Sequence, residues 1–293
     1  MDKATMTATL QLNFASLRCD LAPALGGSIA GLWLNDVPVL RSTPGPALQQ
    51  VSAAGSYPLV PFSNRIGHAA FSWAGRSHAM LPNNPAEPHA IHGVGWQRTW
   101  TVLKVDERQA NLAYIHRADA AWPFAFAAEQ VFELSDQGLA LHMTLTNQSE
   151  VPMPAGLGWH PYFVKRPGSY LRFAAAGRWE MGADKLPTHR LPTPGLDTDC
   201  TALDVDHCFD GWAGDVQLQD ELLRIRIRSN LQRLVVFTNP TRDFVAIEPV
   251  SHVNNALQLM QSTDISAHAL GLTVLQPGES ISAHMHIQME HQP

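Results

Sequence analysis

Along several stretches of this chain apolar and polar residues alternate one by one, and no other feature restricts the fold as strongly. Leu139, Leu141, Met143 and Leu145 take every second position. Leu223, Ile225 and Ile227 alternate with Arg224, Arg226 and Arg228, and Ile281, Ala283, Met285, Ile287 and Met289 with Ser282, His284, His286, Gln288 and Glu290. Ala8, Leu10, Leu12 and Phe14 repeat the pattern near the N-terminus. Successive side chains of a β-strand point to opposite faces, so a period of two gives one buried and one wet face. Strands of that kind build antiparallel sheets. Ser135-Asp136-Gln137-Gly138, between Val131–Leu134 and Leu139–Leu145, predicts a hairpin, and Pro277-Gly278 predicts a turn before the last strand. No long helical period is present. The expected fold class is all-β, a large antiparallel β-sandwich. With no internal repeat and no low-complexity linker, residues 1–293 read as a single domain. Pro187–Val205, rich in Pro, Thr and Asp, reads as an irregular surface excursion.

Charge and cysteine usage narrow the partners. The formal net charge is −6, with no basic stripe, so no nucleic-acid partner is expected. No polybasic run and no long apolar span predicts contact with a membrane. The three cysteines, Cys19, Cys200 and Cys208, are too few and too far apart for a disulfide framework. With no apolar signal segment at the N-terminus, a cytoplasmic location is expected.

Four segments place chemistry-bearing residues among apolar neighbours. In Tyr57-Pro58-Leu59-Val60-Pro61-Phe62-Ser63-Asn64-Arg65-Ile66-Gly67, Arg65 can offer several hydrogen bonds to a sugar-like oxygen, or form a surface salt bridge. In His89-Ala90-Ile91-His92-Gly93-Val94-Gly95-Trp96, the glycines after His92 suggest a tight loop aiming that imidazole into a cavity. The alternative is a surface histidine. His89 and His92 could begin a metal site, but a metal would need at least a third ligand and no cysteine lies close by, so no metal is expected. In Gly156-Leu157-Gly158-Trp159-His160-Pro161-Tyr162-Phe163, a histidine sits among aromatics. Burial would lower its pKa and a nearby carboxylate would raise it. It suits acid–base work, or a core histidine bonded to a carbonyl. In Phe244-Val245-Ala246-Ile247-Glu248-Pro249-Val250, a carboxylate interrupts a strand-like run. Glutamate is rarely buried alone, so Glu248 should be paired, in a site, or at a strand end, and Pro249 suggests that the strand stops there.

Taken in order, these segments resemble the aldose 1-epimerase (mutarotase) family. Asn64-Arg65-Ile66, His92-Gly93, His160-Pro161-Tyr162-Phe163, Asp206-His207-Cys208-Phe209 and Glu248-Pro249 follow one another, flanked by Leu25-Gly26-Gly27-Ser28-Ile29 and Gln276-Pro277-Gly278-Glu279. The resemblance implies a β-sandwich of the galactose mutarotase type. It also implies a cofactor-independent isomerase that interconverts the α and β anomers of a free sugar. It makes Glu248 the general base and His160 the general acid. Arg65, His92 and Asp206 would bind and orient the sugar, with Asn64 beside them and Trp96, Trp159 or Tyr162 against its apolar face. The short stretch Gly95-Trp96 after His92, and Val250-Ser251-His252-Val253-Asn254-Asn255-Ala256 after Glu248, resemble divergent bacterial-type members.

Three other readings compete. A hexose-6-phosphate 1-epimerase would need a cluster of cations, and Arg65, Arg76 and Arg98 form no evident one. A sugar-binding or sensing protein of the same fold would not need both His160 and Glu248. A metal hydrolase would rest on His284, His286 and His291, whose first two members share one strand face. The G-x-S-x-G elbow of a serine hydrolase and the phosphate-binding P-loop are both missing.

Overall fold

A computed structural model describes residues 9–292. The alternating segments become strands whose buried positions are the apolar ones. Leu139, Leu141, Met143 and Leu145 are buried in the strand Gly138–Asn147. Leu223, Ile225 and Ile227 are buried in Leu223–Ser229, and Ala283, Met285 and Ile287 in Ser280–His291. The hairpin at Ser135–Gly138 joins Phe126–Ser135 to Gly138–Asn147. Ala8 lies outside the described residues, while Leu10–Phe14 is a strand.

All pairings between these strands are antiparallel, and two large sheets dominate. The nine-stranded sheet runs, in spatial order, Thr101–Val105, Gln109–His116, Phe126–Ser135, Gly138–Asn147, Ser280–His291, Leu223–Ser229, Asp215–Gln219, Tyr170–Ala174 and Gly195–Asp199. The eight-stranded sheet runs Pro187–Pro192, Gly177–Met181, Val205–Asp210, Arg233–Thr238, Phe244–Val250, Gly158–Trp159 and Pro58–Leu59, with Tyr162–Val164 also paired to Phe244–Val250. A four-stranded sheet, Leu10–Phe14 through Val37–Pro38, adds to the same core. Residues of both large sheets share that apolar core, as a β-sandwich requires. Trp159 Nε1 donates to Gln130 Oε1 at 3.2 Å, tying one sheet to the other. The helices are short, Ala256–Ser262 and Ala267–Leu270. No helix among the described residues is long and apolar enough to cross a membrane.

Two expectations are corrected. Pro187–Val205 is not irregular throughout, because Pro187–Pro192 and Gly195–Asp199 form the outermost strands of the two large sheets. An edge strand with both faces largely exposed shows no alternation, so its sequence looks like a loop. The strand Phe244–Val250 also continues through Pro249. Ile247 N–H donates to Pro161 O at 3.2 Å and Ser251 N–H to Leu157 O at 2.9 Å. By alternation, position 249 faces the same neighbour midway between them. That neighbour is interrupted there, between Gly158–Trp159 and Tyr162–Val164, so no ladder bond is forfeited. His160 occupies the interruption.

Candidate active site

The register of the eight-stranded sheet gathers the first group of polar side chains. Asp206 pairs with Phe237, Phe237 with Ala246, and Ala246 with Tyr162. In the adjoining row Cys208 pairs with Val235, and Val235 with Glu248. Directly paired residues project to the same face, as do residues two apart on one strand. Asp206, Glu248 and Tyr162 therefore share one face.

A second group arrives from the short pairing of Arg65–Ile66 with Ala90–Ile91. Asn64 and His92 both adopt left-handed backbone, with φ of 53° and 62°. His92 N–H donates to Asn64 O at 2.8 Å, and Asn64 N–H donates to His92 Nδ1 at 3.2 Å. Nδ1 is thereby an acceptor, so the neutral ring carries its proton on Nε2. Gly93 follows at φ 71°, where a Cβ would sit 2.1 Å from Val60 O. Only glycine permits that approach. Trp96 Nε1 donates to Ile91 O and Gly93 O, both at 3.2 Å, and its ring stacks on Tyr57 at 5.2 Å.

These residues line a cavity of about 300 Å³, bounded by Tyr57, Arg65, His92, Trp96, His160 and Asp206, with Asn64, Tyr162, Glu87, Lys185 and Glu248 among the others. Larger depressions of about 560 and 570 Å³ lie on the nine-stranded sheet, but neither brings a histidine near a carboxylate. Within the smaller cavity, His160 Nε2 lies 3.1 Å from Glu248 Oε1, with the two side chains 8% and 2% exposed. The other polar atom of each group, His160 Nδ1 and Glu248 Oε2, is buried without a hydrogen-bond partner. The His160 ring lies between Tyr162, at 4.4 Å, and Tyr57, at 4.8 Å, with the edge of His92 at 5.1 Å. Tyr57 and Tyr162 also hydrogen-bond through their hydroxyls at 3.0 Å.

Burial sets the proton affinities. It pushes the Glu248 carboxyl well up, helped by the Asp206 charge and opposed by Arg65. It drives His160 well down, helped by His92 and Arg41, and so outweighs the lift expected of a carboxylate neighbour. His92 falls to about 3 through burial, then through Arg65. Burial also raises Asp206, against the pull of Arg65. Burial opposes the charge on Arg65, yet its contacts with Glu87 leave its affinity raised. Arg65 Nε and Nη2 donate to the two oxygens of Glu87 at 2.6 and 2.8 Å, and Nη1 donates to Asn64 Oδ1 at 3.3 Å. Lys185 donates to Glu87 Oε1 at 2.8 Å.

Of the residues singled out from the sequence, Glu248, His160, Arg65, His92, Asp206, Asn64, Trp96 and Tyr162 line this one cavity. Trp159 does not, its indole being held in the core by Gln130. Arg76 and Arg98 are exposed and are not among its lining residues. Sequence reasoning gave no role to Tyr57, although it opens the first segment, and missed Glu87 and Lys185 altogether. These last two lie in irregular segments and meet across 98 positions, which leaves no local signal. Among the described residues, no group of three or more His, Cys, Asp or Glu side chains is placed to hold a metal ion.

The fold is that of the galactose mutarotase-like β-sandwiches. The chain belongs to the aldose 1-epimerase family, whose model matches residues 10–288. Among solved structures it resembles a putative aldose 1-epimerase from Escherichia coli K12, with a TM-score of 0.87 and 26% identity over 97% of this chain and 99% of that one. It also resembles a galactose mutarotase-like protein from Clostridium acetobutylicum, with a TM-score of 0.83 and 18% identity over 97% and 95% of the two chains. Its sequence relatives include the uncharacterized protein YphB of E. coli K12, 29% identical over 95% of this chain and 98% of YphB. Another is YihR of the same organism, 25% identical over 68% of this chain and 70% of YihR.

Proposed function

We propose that the protein is an aldose 1-epimerase acting on a free, uncharged sugar, with Glu248 as base and His160 as acid. The observation that carries this reading is the 3.1 Å contact between His160 Nε2 and Glu248 Oε1 in a cavity lined by polar side chains. The anomeric carbon bears two oxygens, the ring oxygen and the hydroxyl. An acid and a base close enough to touch suit two oxygens on one carbon.

Burial raises the proton affinity of Glu248 and lowers that of His160, which favours the neutral pair over the charged one. The working form, carboxylate and imidazolium, holds the same number of protons and is reached by moving one along the contact. Glu248 takes the hydroxyl proton while the O–H electrons form the carbonyl. The bond from the anomeric carbon to the ring oxygen breaks, and that oxygen receives the proton of His160. Rotation of the open aldehyde and reversal of the steps give the other anomer. Each such transfer contributes roughly 10² to 10⁴ in rate. Arg65 and His92 supply donors, Asp206 an acceptor, and Trp96 with Tyr57 an apolar wall.

Polarimetry on freshly dissolved α-D-glucose and α-D-galactose tests this reading. Drift faster than the spontaneous rate, abolished in Glu248→Gln, is expected. Absence of acceleration with both sugars and with other neutral aldoses would refute it.

A further inference from the structure

Two cationic side chains, Arg65 and Lys185, line the cavity, and one carboxylate holds both. Arg65 is a bidentate partner of Glu87, in the geometry that guanidinium otherwise offers to phosphate. Lys185 comes from the segment between Gly177–Met181 and Pro187–Pro192, is 54% exposed, and reaches Glu87 Oε1. Glu87 lies in the irregular segment between Arg76–Ala79 and Ala90–Ile91, and its side chain is 8% exposed. A second carboxylate, Asp206, lines the same cavity. An anionic sugar entering here would meet two carboxylates and would have to displace one of them to reach a cation.

We propose that Glu87 is the specificity-determining residue of this cavity: by occupying Arg65 and Lys185 it makes the site reject sugars that carry a phosphate or carboxylate. The proposal rests on the aldose reading for its substrate, but not for its electrostatics. Glu87 is a positioning residue, acting through the two cations. Like charges brought together in a site cost enough to decide between ligands. The isosteric change Glu87→Gln leaves Arg65 and Lys185 in place with no anion between them. It therefore turns a mouth that refuses a dianion into one that receives it.

The experiment measures kcat/KM on α-D-glucose and on α-D-glucose 6-phosphate for wild type, Glu87→Gln and Glu87→Gln/Lys185→Met. Glu87→Gln is expected to raise the ratio for phosphorylated over neutral sugar at least about tenfold, mainly through KM, and Lys185→Met to reverse most of that gain. A merely structural Glu87 would lower both values together and leave the ratio unchanged, which would overturn the proposal. Calorimetric titration of the same full-length proteins with inorganic phosphate needs no turnover. Binding is expected for Glu87→Gln and not for wild type, and equal behaviour overturns the proposal even if neither protein acts on any sugar. That last result on sugars would sink the aldose reading alone. If Glu87→Gln fails to fold, Lys185→Met by itself, a change at a half-exposed side chain, should widen the preference for neutral glucose. An unchanged or narrower preference would count against the role of Glu87.

Discussion

His160 and Glu248 meet inside a break in a β-ladder. The histidine occupies the interruption between Gly158–Trp159 and Tyr162–Val164, and the glutamate comes from the uninterrupted strand Phe244–Val250 opposite. Every residue of that strand is buried, so the carboxyl is withdrawn from solvent. This enclosure links backbone geometry to chemistry. It raises the proton affinity of the carboxyl, lowers that of the imidazole, and leaves one unpartnered atom on each.

Removing either member of the pair should stop turnover without unfolding the protein. Glu248→Gln and His160→Asn keep most of the side-chain volume, and each is expected to cut kcat by roughly 10² to 10⁴. Polarimetry reads the loss, and far-UV circular dichroism should match wild type. A variant retaining near-wild-type rate would exclude that residue from the proton transfers.

The Asp206 charge adds to burial in raising the proton affinity of Glu248. Neutralising it in Asp206→Asn removes a like charge, so Glu248 should ionise more readily. The acidic limb of the kcat/KM profile should then move to lower pH. A limb that stays in place or moves upward would show that the Asp206 charge is not felt at the base.

His252 is buried and neutral, its Nε2 accepting from Ser63 N–H at 3.1 Å and its Nδ1 donating to Val253 O at 2.8 Å. Burial takes its pKa from 6.5 down to about 4, with the Val253 contact opposing. Between those values the unfolded chain binds a proton that the folded chain refuses, so this group costs stability as pH falls below 6.5. His252→Gln keeps an acceptor for Ser63 and does not titrate. Its stability deficit against wild type should shrink on acidification, by up to about 1.4 kcal/mol per pH unit. Urea unfolding of both proteins at several pH values checks this. A constant difference would mean that His252 titrates normally in the fold.

Gly93 sets the loop that carries His92. Its φ of 71° disfavours any other residue, and a methyl there would lie 2.1 Å from Val60 O. Gly93→Ala should destabilise the protein by about 1–3 kcal/mol or more, and raise KM by shifting His92. Thermal unfolding and steady-state kinetics together test this. An unchanged melting temperature would contradict the described loop.

The parts legible in the sequence were those with a local signature. Leu139 to Leu145 and Ile281 to Ile287 reveal their buried faces because the period of two needs no partner. The pairing of Leu139 with Ile287 is a long-range fact with no such trace. His160 and Glu248 stood out as polar residues in apolar runs. Pro249 misled because the effect of a missing N–H depends on what the neighbouring strand does at that level. Glu87 and Lys185 were invisible because each is an ordinary charged residue in an irregular segment. Their meaning appears only when the fold brings them to Arg65.

The placement of Glu87 and Lys185 has one more implication. Glu248 and His160 are set in or against a fully buried strand, where substitutions disturb packing on both faces. The residues at the cavity mouth ride on two surface segments that take no part in either large sheet. Such segments accept changes in length and composition far more readily than strands do. Under the proposed function, descendants of a chain built this way are free to vary what the cavity admits while the His160–Glu248 pair is inherited intact, so that ligand preference and reaction chemistry can evolve at different rates.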